Sequence, residues 1–213
     1  MTRRPIKARD TKWATSIARW LARVGLRPNQ ISILSVAFAA LAGGSLALTN
    51  TGPTIWKVTL FIVAAACIQL RLLCNLFDGM VAVEGCLKSK SGEIYNELPA
   101  RLSDALVLVG AGYAFSAQTW TSQLGWAAAL LAVITAYVRT LGVAAGTAQY
   151  FIGPMAKQQR MFIMTLACLA AAFGSACGRS IDFISVALGI IVFGCLVTVA
   201  RRTRRIIGEL ESK

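Results

Sequence analysis

The segment from Asn75 to Asp104 reads NLFDGMVAVEGCLKSKSGEIYNELPARLSD, and long apolar stretches flank it on both sides. The whole chain has nine acidic residues in 213, and five of them lie in this one segment. They are Asp78, Glu84, Glu93, Glu97 and Asp104. Ionisable side chains between hydrophobic spans usually mark ion sites or chemistry, because burying them in an apolar setting costs free energy. This segment is therefore the first candidate for a functional site.

The apolar stretches predict a membrane protein. Hydrophobic residues make up 56% of the chain and charged residues 15%, whereas soluble domains carry roughly 25% charged residues. Six apolar segments are each close to the roughly 20 residues that a helix needs to cross a bilayer. They are residues 31–49, 54–74, 102–118, 123–142, 159–176 and 183–200. We expect an all-α integral membrane protein with six transmembrane helices.

The basic residues lie mainly outside these segments. The formal net charge is +13, and eight of the 22 Lys and Arg residues precede residue 28 while five follow residue 200. Basic ends beside apolar spans are typical of contact with an anionic cytoplasmic leaflet, and this placement disfavours nucleic-acid binding. The connecting stretches 75–101 and 139–160 are also rich in Lys and Arg. The positive-inside rule thus predicts a protein of the inner or plasma membrane, with both termini and both polar stretches facing the cytoplasm.

The chain divides into three predicted parts. In residues 1–28, Trp13 and Trp20 belong to an apolar set at helical spacing opposite basic side chains, which predicts a cytoplasmic amphipathic helix lying on the membrane surface. Residues 29–200 form the predicted six-helix transmembrane catalytic domain. Residues 201–213 form a predicted basic cytoplasmic tail.

The composition limits the kinds of metal site and catalysis that this chain can have. The chain has no histidine, which excludes histidine-based metal sites, general bases and catalytic triads. Its six cysteines lie mostly in apolar stretches without a CxxC pair, so they predict ordinary packing rather than disulfides or a zinc site. Any catalysis has to use carboxylates, lysine, tyrosine, cysteine or the backbone.

The polar segment contains two short ladders at helical spacing. Asn75 and Asp78 are three residues apart, so a continuing helix places both on one face. Asn96, Ala100 and Asp104 are four residues apart and drift only about 40° per step around a helix. Two such ladders on adjacent helices could hold a hard cation such as Mg²⁺ through oxygen ligands. The spacing alone fits equally well with polar helix ends exposed to cytoplasmic water.

The segment resembles the signature of the CDP-alcohol phosphotransferases, which reads D-x2-D-G-x2-A-R, a variable spacer, and then G-x3-D-x3-D. Gly79, Ala82 and Gly92 stand at their signature spacings in this chain. The PNQIS sequence from Pro28 to Ser32 and the preceding amphipathic helix are similar to the family as well. The resemblance implies transfer of a phosphatidyl or other phospho-alcohol group from a CDP-linked lipid, first of all CDP-diacylglycerol, to an alcohol. It also implies release of CMP and a homodimer.

The chain departs from the signature at most of its charged positions. Of the four aspartates only Asp78 remains, since Asn75, Asn96 and Ala100 replace the others, and Val83 replaces the arginine. In the family the aspartates hold divalent metal, and the fourth is also the general base. Four carboxylates would balance two divalent ions. Alanine at position 100 can neither bind a metal nor accept a proton.

The resemblance assigns roles to particular residues. It implies a Mg²⁺ or Mn²⁺ site, a nucleotide site and a catalytic role for Asp78. Because Ala100 cannot act as the base, Asp104, one turn later, would take that role. Glu97 or Glu93 would supply additional negative charge. The metal ligands would be Asp78, Asn75, Asn96 and Asp104. The nucleotide-binding residues would be Gly79, Ala82 and Gly92. Among these ligands only Asp78 and Asp104 would carry negative charge. Their two negative charges would balance a single divalent ion.

Basic residues supply the candidate binding site for a phosphate-bearing acceptor alcohol. Arg139, Lys157 and Arg160 lie in or beside the second polar stretch, and Arg101 lies in the first. Positive-inside loops hold such residues for topological reasons as well. Arg101 also has a simpler interpretation, an ion pair with an acidic residue one turn away.

Two other functions stay open. A divergent branch of the family has a pattern similar to N-x2-D-G…N-E-x-P-D-R-x-S-D, from which this segment differs only by Ala100. The chain could therefore be a catalytically impaired or inactive relative that binds CDP or lipid. A transporter of small solutes is disfavoured, because the polar residues cluster at the cytoplasmic helix ends whereas transporter sites lie near the bilayer midplane.

Overall fold

The computed structural model describes residues 11–84, 92–114, 119–178 and 182–212. Within these ranges the chain forms seven α-helices, which confirms the all-α prediction. The helices are α1 (Lys12–Arg23), α2 (Pro28–Leu48), α3 (Thr54–Glu84), α4 (Gly92–Gly112), α5 (Thr119–Ala144), α6 (Lys157–Ala176) and α7 (Phe183–Glu211).

Five of these helices are long and apolar enough to cross a membrane, namely α2, α3, α5, α6 and α7. Helix α4 has a comparable length of 21 residues, but it begins with the polar sequence GEIYNELPARLSD. The membrane character is thus borne out for five helices among the described residues. The count of six spans stays a prediction.

The predicted boundaries around the polar segment were wrong. Helix α3 does not end near residue 74 but continues to Glu84, and α4 begins at Gly92 rather than near residue 102. What the sequence suggested as a loop over 75–101 is therefore helical in nearly all of its described part. The helices continue because their polar side chains face partners on neighbouring helices, so polarity does not end them.

The amphipathic helix α1 packs beside the candidate site. Ala14 and Ala18 are completely buried, and the Trp13 ring meets the Phe77 ring of α3 edge-on at 6.2 Å. Trp20 and Val24 remain more than half exposed. The described part of α1 thus has one face on the bundle and an apolar face left open, while its predicted position at the membrane surface stays a prediction.

Helices α2 and α4 approach closely through glycine. A Cβ atom added to Gly43 of α2 would lie 2.3 Å from the carbonyl oxygen of Leu106 in α4, and one added to Gly110 would lie 2.2 Å from the carbonyl oxygen of Gly43. Both clashes are with backbone atoms, which cannot rotate away. This contact fixes α4, and with it Asn96 and Asp104, against the rest of the bundle.

We expect Gly43→Ala to destabilise the fold by about 1–3 kcal/mol, the usual cost of forcing extra volume into a packed interior. Gly44→Ala is the matched control, because a Cβ at Gly44 meets nothing within 4 Å and alanine favours a helix. Thermal unfolding of the detergent-solubilised protein would measure both changes. Equal stability of the two variants would contradict the proposed close contact.

Candidate active site

A cleft of about 350 Å³ opens among α3, α4, α5, α6 and α7. Its lining includes the amides of both predicted ladders, Asn75 and Asn96, and all four predicted cationic residues. Its polar lining consists of Gln69, Asn75, Asn96, Glu97, Arg101, Asp104, Thr135, Arg139, Lys157, Gln158, Arg160 and Arg202. The structure thus brings together the two polar stretches that the sequence assigned to one site.

Both the nitrogen and the oxygen of the Asn75 side-chain amide form hydrogen bonds. Its Nδ2 donates a hydrogen bond of 2.8 Å to the carbonyl oxygen of Arg71 one turn earlier. Its Oδ1 accepts a hydrogen bond from the ammonium group of Lys157, the first residue of α6. The amide oxygen predicted to bind a metal is therefore directed at a cationic side chain.

Asp78 lies one turn further along α3 and is 4% exposed. Ser32 of α2 donates its hydroxyl to Oδ2 at 2.7 Å, and the backbone N–H of Gly79 donates to Oδ1 at 2.5 Å. Ser32 is the last residue of the PNQIS sequence, so its contact with Asp78 gives that sequence a physical role. A carboxylate has about four lone-pair positions, so these bonds are compatible with cation binding.

Asp104 is placed between two buried guanidinium groups. Arg71 donates to Oδ1 and Arg160 donates to Oδ2, the latter at 2.6 Å. Arg71 is fully buried and also donates to the carbonyl oxygen of Ala100 at 3.1 Å. Arg160 donates as well to the carbonyl oxygen of Met155 at 3.0 Å. These contacts make Asp104 the centre of a buried ion cluster.

The cluster limits what Asp104 can do. Two positive charges beside it would repel a divalent cation. A proton on either oxygen would have to displace a charge-assisted hydrogen bond, which is stronger than a neutral one. The contacts therefore favour an organising role for Asp104, while its predicted roles as base and metal ligand stay predictions.

Glu97 forms a second ion cluster at the cleft. Arg101 pairs with it at a spacing of four residues within α4, as the simpler interpretation predicted. Arg139 of α5 donates from Nη2 to both carboxylate oxygens at 2.8 Å. The Arg139 guanidinium also lies 5.3 Å from the centre of the Phe151 ring. Arg139 is thus fixed in position before any ligand binds.

Two of the remaining predicted residues, Ala100 and Asn96, line the cleft. Ala100 is buried in the cleft wall, and Asn96 is exposed at its edge. Gly79, Ala82 and Gly92 are partly exposed, the first two near the C-terminal end of α3 and Gly92 at the start of α4, and they do not line the cleft. The side chain of Glu93 lies outside the described residues.

Two arginines of the site were not assigned a role from the sequence. Arg71 lies inside the apolar segment 54–74, and a charge in such a segment by itself indicates a buried acidic partner. Arg202 was taken as part of the basic tail, but it is 5% exposed, lines the cleft and donates from Nε to the carbonyl oxygen of Ile152 at 2.9 Å. Its position four residues after buried Thr198 is the signal that places it on the inner face of α7.

The cleft is strongly positive. Among its described lining residues five are cationic and two are carboxylates, and each of these carboxylates is already paired with two arginines. The guanidinium and ammonium groups of these excess cationic side chains can donate charge-assisted hydrogen bonds to the oxygens of a phosphate or pyrophosphate. The arrangement can therefore bind an anionic group between α3, α4 and α6.

Of the predicted metal ligands, Asn75, Asn96 and Asp104 line the cleft, whereas Asp78 does not. No group of three or more Asp, Glu, Cys or His side chains suitable for a metal occurs among the described residues, so a metal site here has to use amide oxygens. Asn75, Asp78 and Asn96 offer two amides and one carboxylate, and hard cations accept such oxygen ligands. The ion cluster around Asp104 does not fit a second ion.

Comparison with solved structures identifies the fold. No protein-family model matches the chain, and no curated protein sequence matches it significantly. The phosphatidylinositol phosphate synthase of Mycobacterium tuberculosis with CDP-DAG bound matches with a TM-score of 0.74 and 22% identity, over 92% of this chain and 94% of that one. The chain has the fold of that synthase. The synthase is a CDP-alcohol phosphotransferase, so the resemblance seen in the signature is confirmed at the level of the fold.

Two further structures of the same synthase agree. The complex with manganese and citrate matches with a TM-score of 0.75 and 20% identity, over 91% of this chain and 88% of that one. The apo form matches with a TM-score of 0.67 and 21% identity, over 89% and 93%. The likeness thus extends over nearly the whole of both chains.

Proposed function

We propose that this chain is a membrane-embedded CDP-alcohol phosphotransferase of phospholipid synthesis. It transfers a phosphatidyl or related phospho-alcohol group from a CDP-linked lipid to an alcohol acceptor and releases CMP. The observation that carries the proposal is the cationic cleft lined by Asn75 and Asn96, in a fold whose solved example binds CDP-DAG. CDP-diacylglycerol is accordingly the first candidate for the donor.

The donor's pyrophosphate would lie at the facing ends of α3 and α4. Gly79, Ala82 and Gly92 leave room for a nucleotide to approach the backbone there. Asp78, Asn75 and Asn96 would hold a divalent cation, Mg²⁺ or Mn²⁺, and the synthase of the same fold has a manganese complex. When bound, such an ion neutralises phosphate charge and orients the reacting phosphorus.

The acceptor would bind on the α5 and α6 side of the cleft. Arg139, held by Glu97, presents its guanidinium close to Arg101 without further ordering. Lys157 and Arg160 belong to the first turn of α6 and line the same cleft. These groups would grip a phosphate on the acceptor alcohol and keep its hydroxyl next to the donor.

The site lacks a carboxylate at the position expected to hold the general base. Ala100 occupies the signature position of the general base, and Asp104 follows it by one turn along that face. We propose that Asp104 accepts the acceptor's proton in this chain, although Arg71 and Arg160 already occupy its oxygens. Transfer is therefore expected to be slow.

The proposal includes the membrane arrangement. Helix α4 would be the sixth span, because it packs against α2 and α5 inside the bundle while its polar end meets the cytoplasm. Helix α1 would lie on the cytoplasmic surface, and both termini would be cytoplasmic. The three predicted parts, 1–28, 29–200 and 201–213, and the homodimer stay part of this proposal.

Acceptor-dependent release of CMP tests the reaction. Purified protein in lipid nanodiscs should release CMP from CDP-diacylglycerol when Mg²⁺ or Mn²⁺ and the correct alcohol are both present. A panel containing glycerol phosphate, inositol phosphate, inositol and serine covers acceptors with and without phosphate. We expect the phosphate-bearing alcohols to be preferred, because the cleft carries a surplus of cationic side chains.

The alternative of an inactive relative that binds CDP or lipid is favoured by one observation. The position of the base is alanine, and both described carboxylates lining the cleft are bridged by arginines. Calorimetric binding of CDP without turnover by the wild type or by Ala100→Asp would establish this alternative.

A further inference from the structure

The connection between α5 and α6, residues 145–156, lies against the C-terminal half of α7. Its backbone is held there by side chains of that helix. Arg202 donates from Nε to the carbonyl oxygen of Ile152 at 2.9 Å. The backbone N–H of Met155 donates to the hydroxyl oxygen of Thr198 at 3.0 Å. Helix α7 therefore determines where this connection runs.

A further contact holds the connection two turns beyond Arg202 on α7. Glu209 Oε2 accepts hydrogen bonds from the Tyr150 hydroxyl and, at 3.4 Å, from the backbone N–H of Ala148. The Arg205 guanidinium lies 5.6 Å from the centre of the Tyr150 ring. Arg202, Arg205 and Glu209 recur at spacings of three and four residues, so they share one face of the helix. We call the contact between Tyr150 and Glu209 the latch.

The connection shapes the side of the cleft proposed for the acceptor. Phe151 lines the cleft, and the Arg139 guanidinium lies 5.3 Å from the centre of the Phe151 ring. The carbonyl oxygen of Met155 accepts a hydrogen bond of 3.0 Å from Arg160. Both arginines are candidates for binding the acceptor's phosphate. A shift of the connection would therefore move the groups against which these two guanidinium groups are held.

The latch itself lies outside the cleft. Neither Tyr150 nor Glu209 belongs to the described lining of the cleft, and both side chains are partly exposed. A single hydrogen bond in such a position contributes little to the stability of the whole fold, but it can determine whether a segment opens locally. Removing the latch should therefore loosen the connection without unfolding the helical bundle.

We propose that Tyr150 and Glu209 are positioning residues for the acceptor's phosphate. By holding the connection on α7, the latch keeps Phe151 in place, and through it the guanidinium of Arg139. The inference rests on the proposed function, because it concerns the acceptor side of the same cleft. The donor's proposed site belongs to α3 and α4, so the latch should affect the binding of phosphate and leave the binding of CDP unchanged.

Variants of the full chain separate the latch from its neighbours. Glu209→Ala removes the acceptor for both Tyr150 and Ala148, whereas Tyr150→Phe removes one hydroxyl group. Glu209→Gln keeps an oxygen that can accept from the Tyr150 hydroxyl, so it should behave like the wild type. Glu211→Ala and Tyr137→Phe are the matched controls, because both side chains are exposed and lie outside the described cleft lining.

Hydrogen–deuterium exchange in nanodiscs, read by mass spectrometry, measures the latch directly. We expect faster exchange across residues 145–156 in Glu209→Ala than in Glu211→Ala, because the Ala148 N–H loses its acceptor. The melting temperatures of the two variants should be equal. Exchange at the same rate in both variants would show that Glu209 does not hold the connection, and it would overturn the inference.

Calorimetry with inorganic phosphate, at saturating CDP, measures the consequence for the cleft. Glu209→Ala should weaken phosphate binding about tenfold, as expected for the loss of roughly one hydrogen bond to a charged group. Its affinity for CDP should stay that of the wild type. Tyr150→Phe should weaken phosphate binding less, and the double variant should be no weaker than Glu209→Ala alone, because the two residues act through one contact.

The outcomes separate the inference from the function on which it rests. An unchanged phosphate affinity in Glu209→Ala, or an equal weakening of phosphate and CDP binding, would overturn the positioning role and leave the transferase proposal intact. Absence of CMP release by the wild type with every acceptor would count against the proposed function instead, while the phosphate titration would still decide the role of the latch.

Discussion

Ala100→Asp is expected to raise the rate of acceptor-dependent CMP release by about a hundredfold or more, the usual contribution of a positioned general base. Ala100 is buried in the cleft wall between Asn96 and Asp104, so a carboxylate there would face the acceptor's hydroxyl. The cationic lining would stabilise the new negative charge. Initial rates at saturating donor and acceptor would measure the gain.

Ala100→Asn is the matched control for this substitution. Asparagine has nearly the same size and polarity as aspartate, but it cannot accept the proton. We expect no gain in rate from it. An equal gain in both variants would show that position 100 acts through shape or polarity, and no gain in Ala100→Asp would contradict the assignment of this position to the base.

Arg71→Met is expected to destabilise the protein by about 2–4 kcal/mol, because it removes buried hydrogen bonds to a charged group and to a backbone carbonyl. Arg71 is completely buried, and it connects α3 to both Asp104 and the backbone of Ala100 in α4. Methionine fills much of the same volume and Arg160 stays paired with Asp104, so the loss would come mainly from the missing Arg71 hydrogen bonds. Thermal unfolding in detergent would measure it.

Arg201→Met is the control for charge and side-chain type, because Arg201 is exposed on α7. Exposed substitutions of this kind change stability by no more than about 0.5 kcal/mol. If the Arg71→Met protein were as stable as the Arg201→Met protein, the result would contradict a structural role for the ion cluster around Asp104.

Local spacing was sufficient to predict part of the site. The three-residue spacing of Asn75 and Asp78 predicted one helical face, and α3 indeed continues through both. The i, i+4 spacing of Glu97 and Arg101 predicted their ion pair. Such contacts depend only on the geometry of one helix, which the sequence determines directly.

The ion clusters could not be predicted, because their members lie far apart in the chain. Arg71 and Asp104 are 33 residues apart, and Arg160 and Asp104 are 56 residues apart. The sequence showed Asp104 as an available carboxylate, whereas the packing of α3, α4 and α6 surrounds it with cations. Tertiary neighbours of this kind determine whether a carboxylate can act as a base.

The predicted boundaries of α3 and α4 around the polar segment were wrong for a related reason. Hydropathy alone indicates where a lipid-facing stretch ends, but α3 and α4 continue into a protein-lined cleft where polar side chains find partners. Arg202 was missed in the same way, since its basic neighbours on α7 are exposed while it points inward. Periodicity of burial, read beyond the apolar segment, would have revealed this inward face.

Conversion of CDP-diacylglycerol in nanodiscs, with CMP and the product lipid quantified together by mass spectrometry, tests the central claim most directly. We expect equal amounts of CMP and a new phospholipid, both requiring the acceptor alcohol and a divalent cation, and both increased by Ala100→Asp. Absence of CMP and of new lipid with every acceptor, in the wild type and in Ala100→Asp alike, would contradict it.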